Sequence, residues 1–277
     1  MKYCIGEFSS ILGITRDTLR LYEKHDIVKP IKDHHNKYRY FNDLDARDLL
    51  MSRWYRSMQI PLHDVAGLMK SSSLETITEK IGESIEQLEE EIQRSTMLLN
   101  KLEELNQEIH SIEGSLYQCK ITEVPGLYRF KQTNRNDLLK NEGLENIVNS
   151  LMEQLPFTFY CFRIGMDQML MEGADSFDYS WGLTLSEDDL PKLKVEISDH
   201  LEYIAPSTCV SAVITSPCGE YLSKEYLQFM LDYLDEHQYT ISGDVVGKLI
   251  LTENNDGNKR SYLQVNIPIC QGADAEK

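Results

Sequence analysis

Positive charge is what this chain has least of. Its 277 residues hold 28 Lys and Arg against 45 Asp and Glu, a formal net charge of −17. A uniform excess of that size would repel phosphate and exclude polyanion binding. Long apolar runs are missing as well. No stretch approaches the roughly eighteen uncharged residues of a membrane span. The first ten residues, MKYCIGEFSS, lack an apolar run followed by a small-residue cleavage site, so a cytoplasmic protein without a signal peptide is expected. The six cysteines (Cys4, Cys119, Cys161, Cys209, Cys218, Cys270) form no Cys-x-x-Cys and no Cys/His group at zinc spacing. Reduced, mostly buried thiols are the expectation, with Cys209 and Cys218 the pair that a soft-metal sensor would use. No Ser-His-Asp order and no supported Cys-His pair is evident. No catalytic residue, metal site or cofactor is therefore expected.

The charge deficit is not uniform. Residues 1–70 carry 12 Lys and Arg against 9 Asp and Glu, while residues 71–277 carry 16 against 36. A mildly basic head on a strongly acidic body is the pattern of a nucleic-acid-binding module joined to a domain of another kind. The acidic body would attract cationic ligands through the same long-range field.

In the head, Ile5, Phe8, Ile11 and Leu12 share one helical face, Gly13 breaks the helix, and Thr15 is a good cap for a second helix, Arg16 to about Lys24. Two short helices around a glycine turn form the helix-turn-helix pattern. The polar stretch Lys32–Lys37, followed by Tyr38-Arg39-Tyr40-Phe41, reads as a hairpin or wing. Asn42 opens a helix through Leu44, Leu49, Leu50 and Trp54, and Pro61 precedes a short amphipathic helix with Leu62, Val65, Leu68 and Met69.

Proline is absent between Pro61 and Pro125, and residues 75–117 form the clearest helix. Ile81, Ile85, Leu88, Ile92, Ser95, Leu99, Leu102, Asn106, Ile109, Glu113 and Leu116 recur at heptad spacing. That is a coiled-coil seam with three polar interruptions. From Ile121 onward the chain turns aromatic and mixed. Strands are expected at 126–132, 158–164, 179–185, 210–214, 245–251 and 262–269, and helices at 143–154 and 221–237. The resulting fold class is α+β: a winged helix-turn-helix (1–73), a coiled-coil dimerisation helix (74–118), and an antiparallel-sheet domain with helices on one face (119–277).

Ile5-Gly6-Glu7-Phe8, Gly13-Ile14-Thr15-Arg16, Thr18-Leu19-Arg20-Leu21-Tyr22-Glu23 and Tyr38-Arg39-Tyr40-Phe41 together resemble the MerR family of transcription regulators, in unbroken order over about residues 3–70. The region 120–270 resembles the GyrI-like effector domain of the BmrR-type multidrug-sensing members, most strongly over 221–269. The resemblance implies a homodimer through an antiparallel coiled coil, a near-palindromic site in double-stranded promoter DNA, activation by distorting that DNA, RNA polymerase as partner, and a small hydrophobic or aromatic effector, with cations among the candidates. The alternatives are a DNA-binding regulator without effector, a metal or redox sensor, and a hydrolase of small electrophiles, since free-standing relatives of the effector domain do such chemistry.

The DNA-facing candidates are Thr15, Arg16, Thr18, Arg20, Tyr22, Lys37, Tyr38 and Arg39. Arg16 suits a guanine edge, and Thr15, Tyr38 and Arg39 suit phosphates. The effector candidates are Tyr160, Phe162, Tyr179, Trp181, Tyr221, Asp244 and Tyr262, as aromatic walls with an acid suit lipophilic cations. The multidrug sensors carry a buried glutamate on the strand after the Asp-Val pair. Here Gly247 or Lys248 stands there, leaving Asp244, Glu172 or Asp178 as the nearest substitutes.

Overall fold

The computed structural model describes residues 2–33, 38–134, 137–140, 143–171, 177–193, 195–217 and 222–271. They form two compact units, Met1–Met97 and Leu98–Lys277.

The first unit begins with β1 (Tyr3–Cys4), α1 (Ile5–Ile11) and α2 (Arg16–Lys24). Gly13 makes the turn between the helices at φ +62°, a left-handed conformation that costs a side-chain-bearing residue more. Thr15 caps α2, its Oγ1 accepting from the Thr18 N–H at 3.0 Å. Strands β2 (Ile31–Lys32) and β3 (Arg39–Phe41) form the wing, and β1 pairs with the other edge of β3. Helices α3 (Asp43–Ser57) and α4 (Leu62–Lys70) follow. The core gathers Phe8, Leu19, Tyr22, Val28, Phe41 and Leu49, with Phe8 stacked on Phe41 at 4.7 Å.

Helix α3 turns a different face inward from the one its leucines suggest. Asp45, Leu49, Ser52 and Tyr55 are buried, while Leu44, Leu50 and Trp54 are half exposed. The cap sets this rotation. Asn42 Oδ1 accepts from the N–H groups of Leu44 and Asp45, and Asp45 returns a bond to the Asn42 N–H, a reciprocal capping box. Ile11, assigned to the inner face of α1, is likewise exposed.

Helix α5 (Leu74–Ser115) is continuous over 42 residues. Its first turns belong to the head, where Ile77 and Ile81 pack on the core. Farther along, Ile85, Ile92, Leu99, Leu102 and Ile109 of the seam are all exposed.

The second unit adds β4 (Lys120–Val124), β5 (Leu127–Lys131), the short pair β6 (Thr133–Asn134) and β7 (Asp137–Leu138), α6 (Glu145–Glu153), β8 (Phe159–Ile164), α7 (Met166–Leu170), β9 (Tyr179–Ser186), a 3-10 turn at Glu187–Asp189, α8 (Leu190–Leu193), β10 (Glu202–Ile204), β11 (Ser207–Pro217), α9 (Lys224–Glu236), β12 (Tyr239–Ile241), β13 (Val245–Asn255) and β14 (Asn258–Gln271). Nine strands form one sheet in the order β10-β5-β9-β8-β13-β14-β11-β4, with β12 also on β14. Every pairing between its named strands is antiparallel.

Strand register divides the sheet into two unlike faces. Phe130 opposes Leu183, which opposes Tyr160. Phe162, Gly247 and Val265 continue the same face. It is apolar, and α6 and α9 cover it: Leu151 packs with Phe130 and Leu183, and Leu227, Met230 and Leu234 pack with Phe162, Val245 and Val265. The opposite face carries Arg129, Thr184, Arg163 and Lys248, one residue out of phase along each strand.

Candidate functional site

The DNA-facing candidates spread over α2 and the wing. Arg16, in the first turn of α2, is exposed. Its guanidinium lies against Gly6, where a Cβ would come within 3.0 Å of Nη2. The bare glycine in α1 therefore gives this arginine its place. Thr18 is half buried, its hydroxyl 2.8 Å from that of Thr15. Arg20 is exposed and bonds Asp17 at 3.0 Å, a surface pair that costs little to break. Arg39 is held at 2.9 Å by Glu23 of α2, so one ion pair ties the wing to the second helix. Tyr38 is exposed, and its carbonyl accepts from the Asp33 N–H. Lys37 lies outside the described residues. Tyr22 needs correction: it is only 7 % exposed, part of the core, because its spacing from Leu19 puts both on the inner face of α2.

The effector candidates do not converge on one cavity. Phe162, Tyr179 and Trp181 touch one another with centroids 5.5 to 6.3 Å apart, but Phe162 and Tyr179 are buried in the main core and Trp181 packs against it. Phe162 lies over Gly247, where any Cβ would overlap its ring. Tyr262 is at the far end of the sheet, its hydroxyl donating to Glu253 at 3.0 Å. Tyr221 and Glu172 lie outside the described residues. Asp244 is already engaged, accepting from Arg163 Nε at 2.7 Å and from the Met166 N–H at 2.8 Å.

Asp244 belongs to a chain of charges that sequence reading missed. Arg129, with no exposed side-chain surface, donates to Glu202 at 2.7 Å and to the carbonyl and hydroxyl of Ser180 at 2.8 Å. Glu202 also meets Arg163 at 3.2 Å. Burial alone would lower the Arg163 pKa, but Asp244 and Glu202 hold it above its ordinary value. These groups and Asp178 line a small polar cleft of about 260 Å³. The signal was a lone arginine among apolar neighbours in each strand, Tyr128-Arg129-Phe130 and Phe162-Arg163-Ile164. Beside Arg129, Cys161 is fully buried, and burial pushes its thiol pKa up. Burial raises Cys119 and Cys209 in the same way. Cys218 lies outside the described residues.

Two larger hollows lie among the described residues. One, of about 930 Å³, runs beside the β13–β14 hairpin tip, among Asn255, Asp256, Asn258, Lys259 and Arg260. Its lining is too polar for a lipophilic molecule. The other, of about 540 Å³, lies where β8 ends and β13 continues. Phe159, Tyr160, Leu155, Pro156 and Leu249–Leu251 give it an apolar wall, and Lys101, Glu104 and Leu105 come from α5. Tyr160 is thus the one effector candidate that lines it, at 43 % exposure. Lys248 stands in the same wall. Its Nζ bonds both carboxylate oxygens of Glu108, at 2.9 and 2.8 Å, and lies 5.6 Å from the centre of the Phe159 ring. Glu108 is 140 residues from Lys248, and no local pattern could have paired them.

A short wing packed beside a Thr-capped second helix, with arginines on the outer surface of both, defines the first unit as a winged helix-turn-helix DNA-binding module. Residues 3–72 match the model of the MerR HTH family regulatory proteins, so the first unit is a MerR-type helix-turn-helix domain. It is 23 % identical to the multidrug-efflux transporter 1 regulator of Bacillus subtilis (strain 168), over 96 % of this chain and 97 % of that one. Among solved structures, it aligns with the EcmrR chain of an EcmrR–DNA complex at 16 % identity and a TM-score of 0.35, covering 97 % of this chain and 100 % of the other. A MerR-family transcriptional regulator from Bacillus cereus aligns at 20 % identity and a TM-score of 0.35, over 40 % of this chain and 84 % of that one. No helix among the described residues is long and apolar enough to cross a membrane.

Proposed function

We propose that this chain is an effector-responsive regulator, an activator acting in the cytoplasm. As a homodimer it binds a near-palindromic promoter spacer and distorts that DNA when a small hydrophobic or aromatic molecule occupies the C-terminal domain. The observation that carries the DNA half is the first unit, in which α2 offers Arg16 and Arg20 at the solvent face and the wing offers Arg39 and Tyr38. Thr15, Thr18 and Lys37 complete the set, with Arg16 at a base edge and Thr15, Tyr38 and Arg39 at phosphates.

The exposed seam of Ile85, Ile92, Leu99, Leu102 and Ile109 supports dimerisation through α5, since a stripe of that length gains by pairing with its copy. A two-fold dimer calls for a two-fold site. The Bacillus subtilis relative is named for regulating a multidrug-efflux transporter, which favours a lipophilic effector. The aromatic cleft beside α5 is the hollow whose lining suits one. RNA polymerase is the partner that a distorted spacer would serve, the bending energy being set against protein–DNA contacts.

The test is footprinting on the chain's own upstream promoter, with and without bound effector. Protection confined to the spacer between the two promoter elements, with altered cleavage at its centre on effector addition, is expected. Occupancy outside the spacer would overturn the proposal.

A further inference from the structure

We propose that the aromatic cleft selects an effector carrying a carboxylate, and that this carboxylate takes Lys248 away from Glu108. The proposal rests on the effector-sensing reading above and specifies the chemistry of that site.

The wall of the cleft already holds a cation. The Lys248 ammonium stands 5.6 Å from the centroid of Phe159, so the protein's own charge sits against the ring on which a lipophilic cation would stack. A second cation there would meet a like charge whose side chain is only 23 % exposed, where screening by water is incomplete.

The acids of the cleft do not offset this. Asp189, the most sheltered at 13 % exposure, is shared between Lys192 at 2.9 Å and Lys101 at 3.8 Å, and its bond holds the Lys192 ammonium above its ordinary pKa. Asp188 is exposed, and Glu104 is 65 % exposed. A cationic ligand would therefore compete with two lysines for Asp189. An anionic ligand competes with one carboxylate for Lys248.

That exchange is electrostatically even, one carboxylate for another at the same ammonium. The surplus comes from the ligand's carbon skeleton, which buries itself against Phe159, Leu155 and Pro156 of the cleft lining. Glu108 belongs to α5 and Lys248 to the sheet, so the exchange breaks a tether between them. Binding and the state of the tether are thereby linked, and the linkage is reciprocal: loosening the tether must tighten binding.

Three naphthalene probes of matched size test this on the full chain by titration calorimetry: 2-naphthoate, 2-naphthylmethanol and 2-naphthylmethylammonium. The naphthoate is expected to bind at least about tenfold more tightly than the ammonium compound. Glu108→Gln, which removes the competitor, should tighten naphthoate binding further. The double exchange Glu108→Lys/Lys248→Glu keeps the ion pair but reverses its polarity, and should reverse the preference. Lys248→Met should abolish it. If the wild-type chain binds the ammonium compound as tightly as the naphthoate, or the double exchange still prefers the naphthoate, the anion selectivity is wrong while effector sensing stands. If none of the three probes binds, effector sensing falls and this proposal falls with it.

Discussion

Replacing Glu202 should destabilise the C-terminal domain more than replacing Arg129, although Arg129 is the larger and more deeply buried partner. Arg129 has no exposed side-chain surface, and it donates to Glu202 and twice to Ser180. Among the described residues its Nε has no hydrogen-bond partner. Glu202→Ala removes the carboxylate partner of this guanidinium and leaves it its bonds to Ser180. Stranding a fully buried charge costs about 3–5 kcal/mol. The two Ser180 bonds survive and Glu202 is 35 % exposed, so about 2–3 kcal/mol is expected here. Arg129→Met removes the charge, keeps most of the apolar volume and leaves Glu202 with Arg163 at 3.2 Å. The remaining cost is the two bonds to Ser180, about 1 kcal/mol. Urea unfolding followed by Trp181 fluorescence measures both, in a Trp54→Phe background that removes the other of the chain's two tryptophans. An Arg129→Met variant as unstable as Glu202→Ala, or more so, would refute the reasoning.

Ile92→Glu with Leu99→Glu places four carboxylates in a two-fold seam, and light scattering should show the mass falling from twice the 32.1 kDa of the chain to a single copy; an unchanged mass would place the dimer contact elsewhere. Arg16→Ala should weaken promoter binding about tenfold or more, since a bidentate base contact is worth roughly 1–3 kcal/mol, while Arg39→Ala should lower the salt dependence of binding by about one phosphate contact. Fluorescence anisotropy at several salt concentrations separates the two effects, and an Arg16→Ala chain with unaltered affinity would contradict the assignment. Burial pushes the Cys161 thiol up, so the folded chain holds this proton more tightly than the unfolded one. Its contribution to stability is complete below the unfolded thiol value, about 8.5, and fades as pH rises through the folded value. Urea midpoints should therefore drop more between pH 7.5 and 9.5 in the wild-type chain than in Cys161→Ala, and equal drops would count against it.

Much of the head was legible because its signals are local. Gly13, Thr15 and Asn42 each act on the turn or cap beside them, and the helices they bound begin where expected, at Arg16 and Asp43. The rotation of α3 was not, because the buried Asp45 breaks the rule that apolar residues mark the inner face. In the C-terminal domain the central strands were visible as apolar runs, but β13 and β14 run on past the expected 251 and begin before 262. Their outer halves, Thr252–Asn255 and Asn258–Ser261, pair across a polar hairpin. Only the Asp256-Gly257 turn, at φ 49° and 87°, betrays that hairpin in the sequence. The strands β4, β10 and β12, of five, three and three residues, are too short for a periodic pattern to stand out. The effector candidates were chosen as aromatics on strands, yet strand aromatics are core material on the side that α6 and α9 cover. Phe162 and Tyr179 went to that core, and Tyr160 reached a cleft because β8 ends beside it.

Asp45 carries a consequence for anyone who maps this regulator by selection. Its buried carboxylate accepts from the N–H of Asn42, at the start of α3, and from the N–H of Lys29, two residues before the wing strand β2. One side chain thus sets the wing's point of departure against the helix behind it. In a deep mutational scan read out through DNA binding, Asp45 would cluster with Arg16 and Arg39, and an asparagine there would register as a lost contact. The carboxylate lies beneath the surface, so the apparent footprint of the protein on DNA would extend inward to a residue that the DNA does not touch.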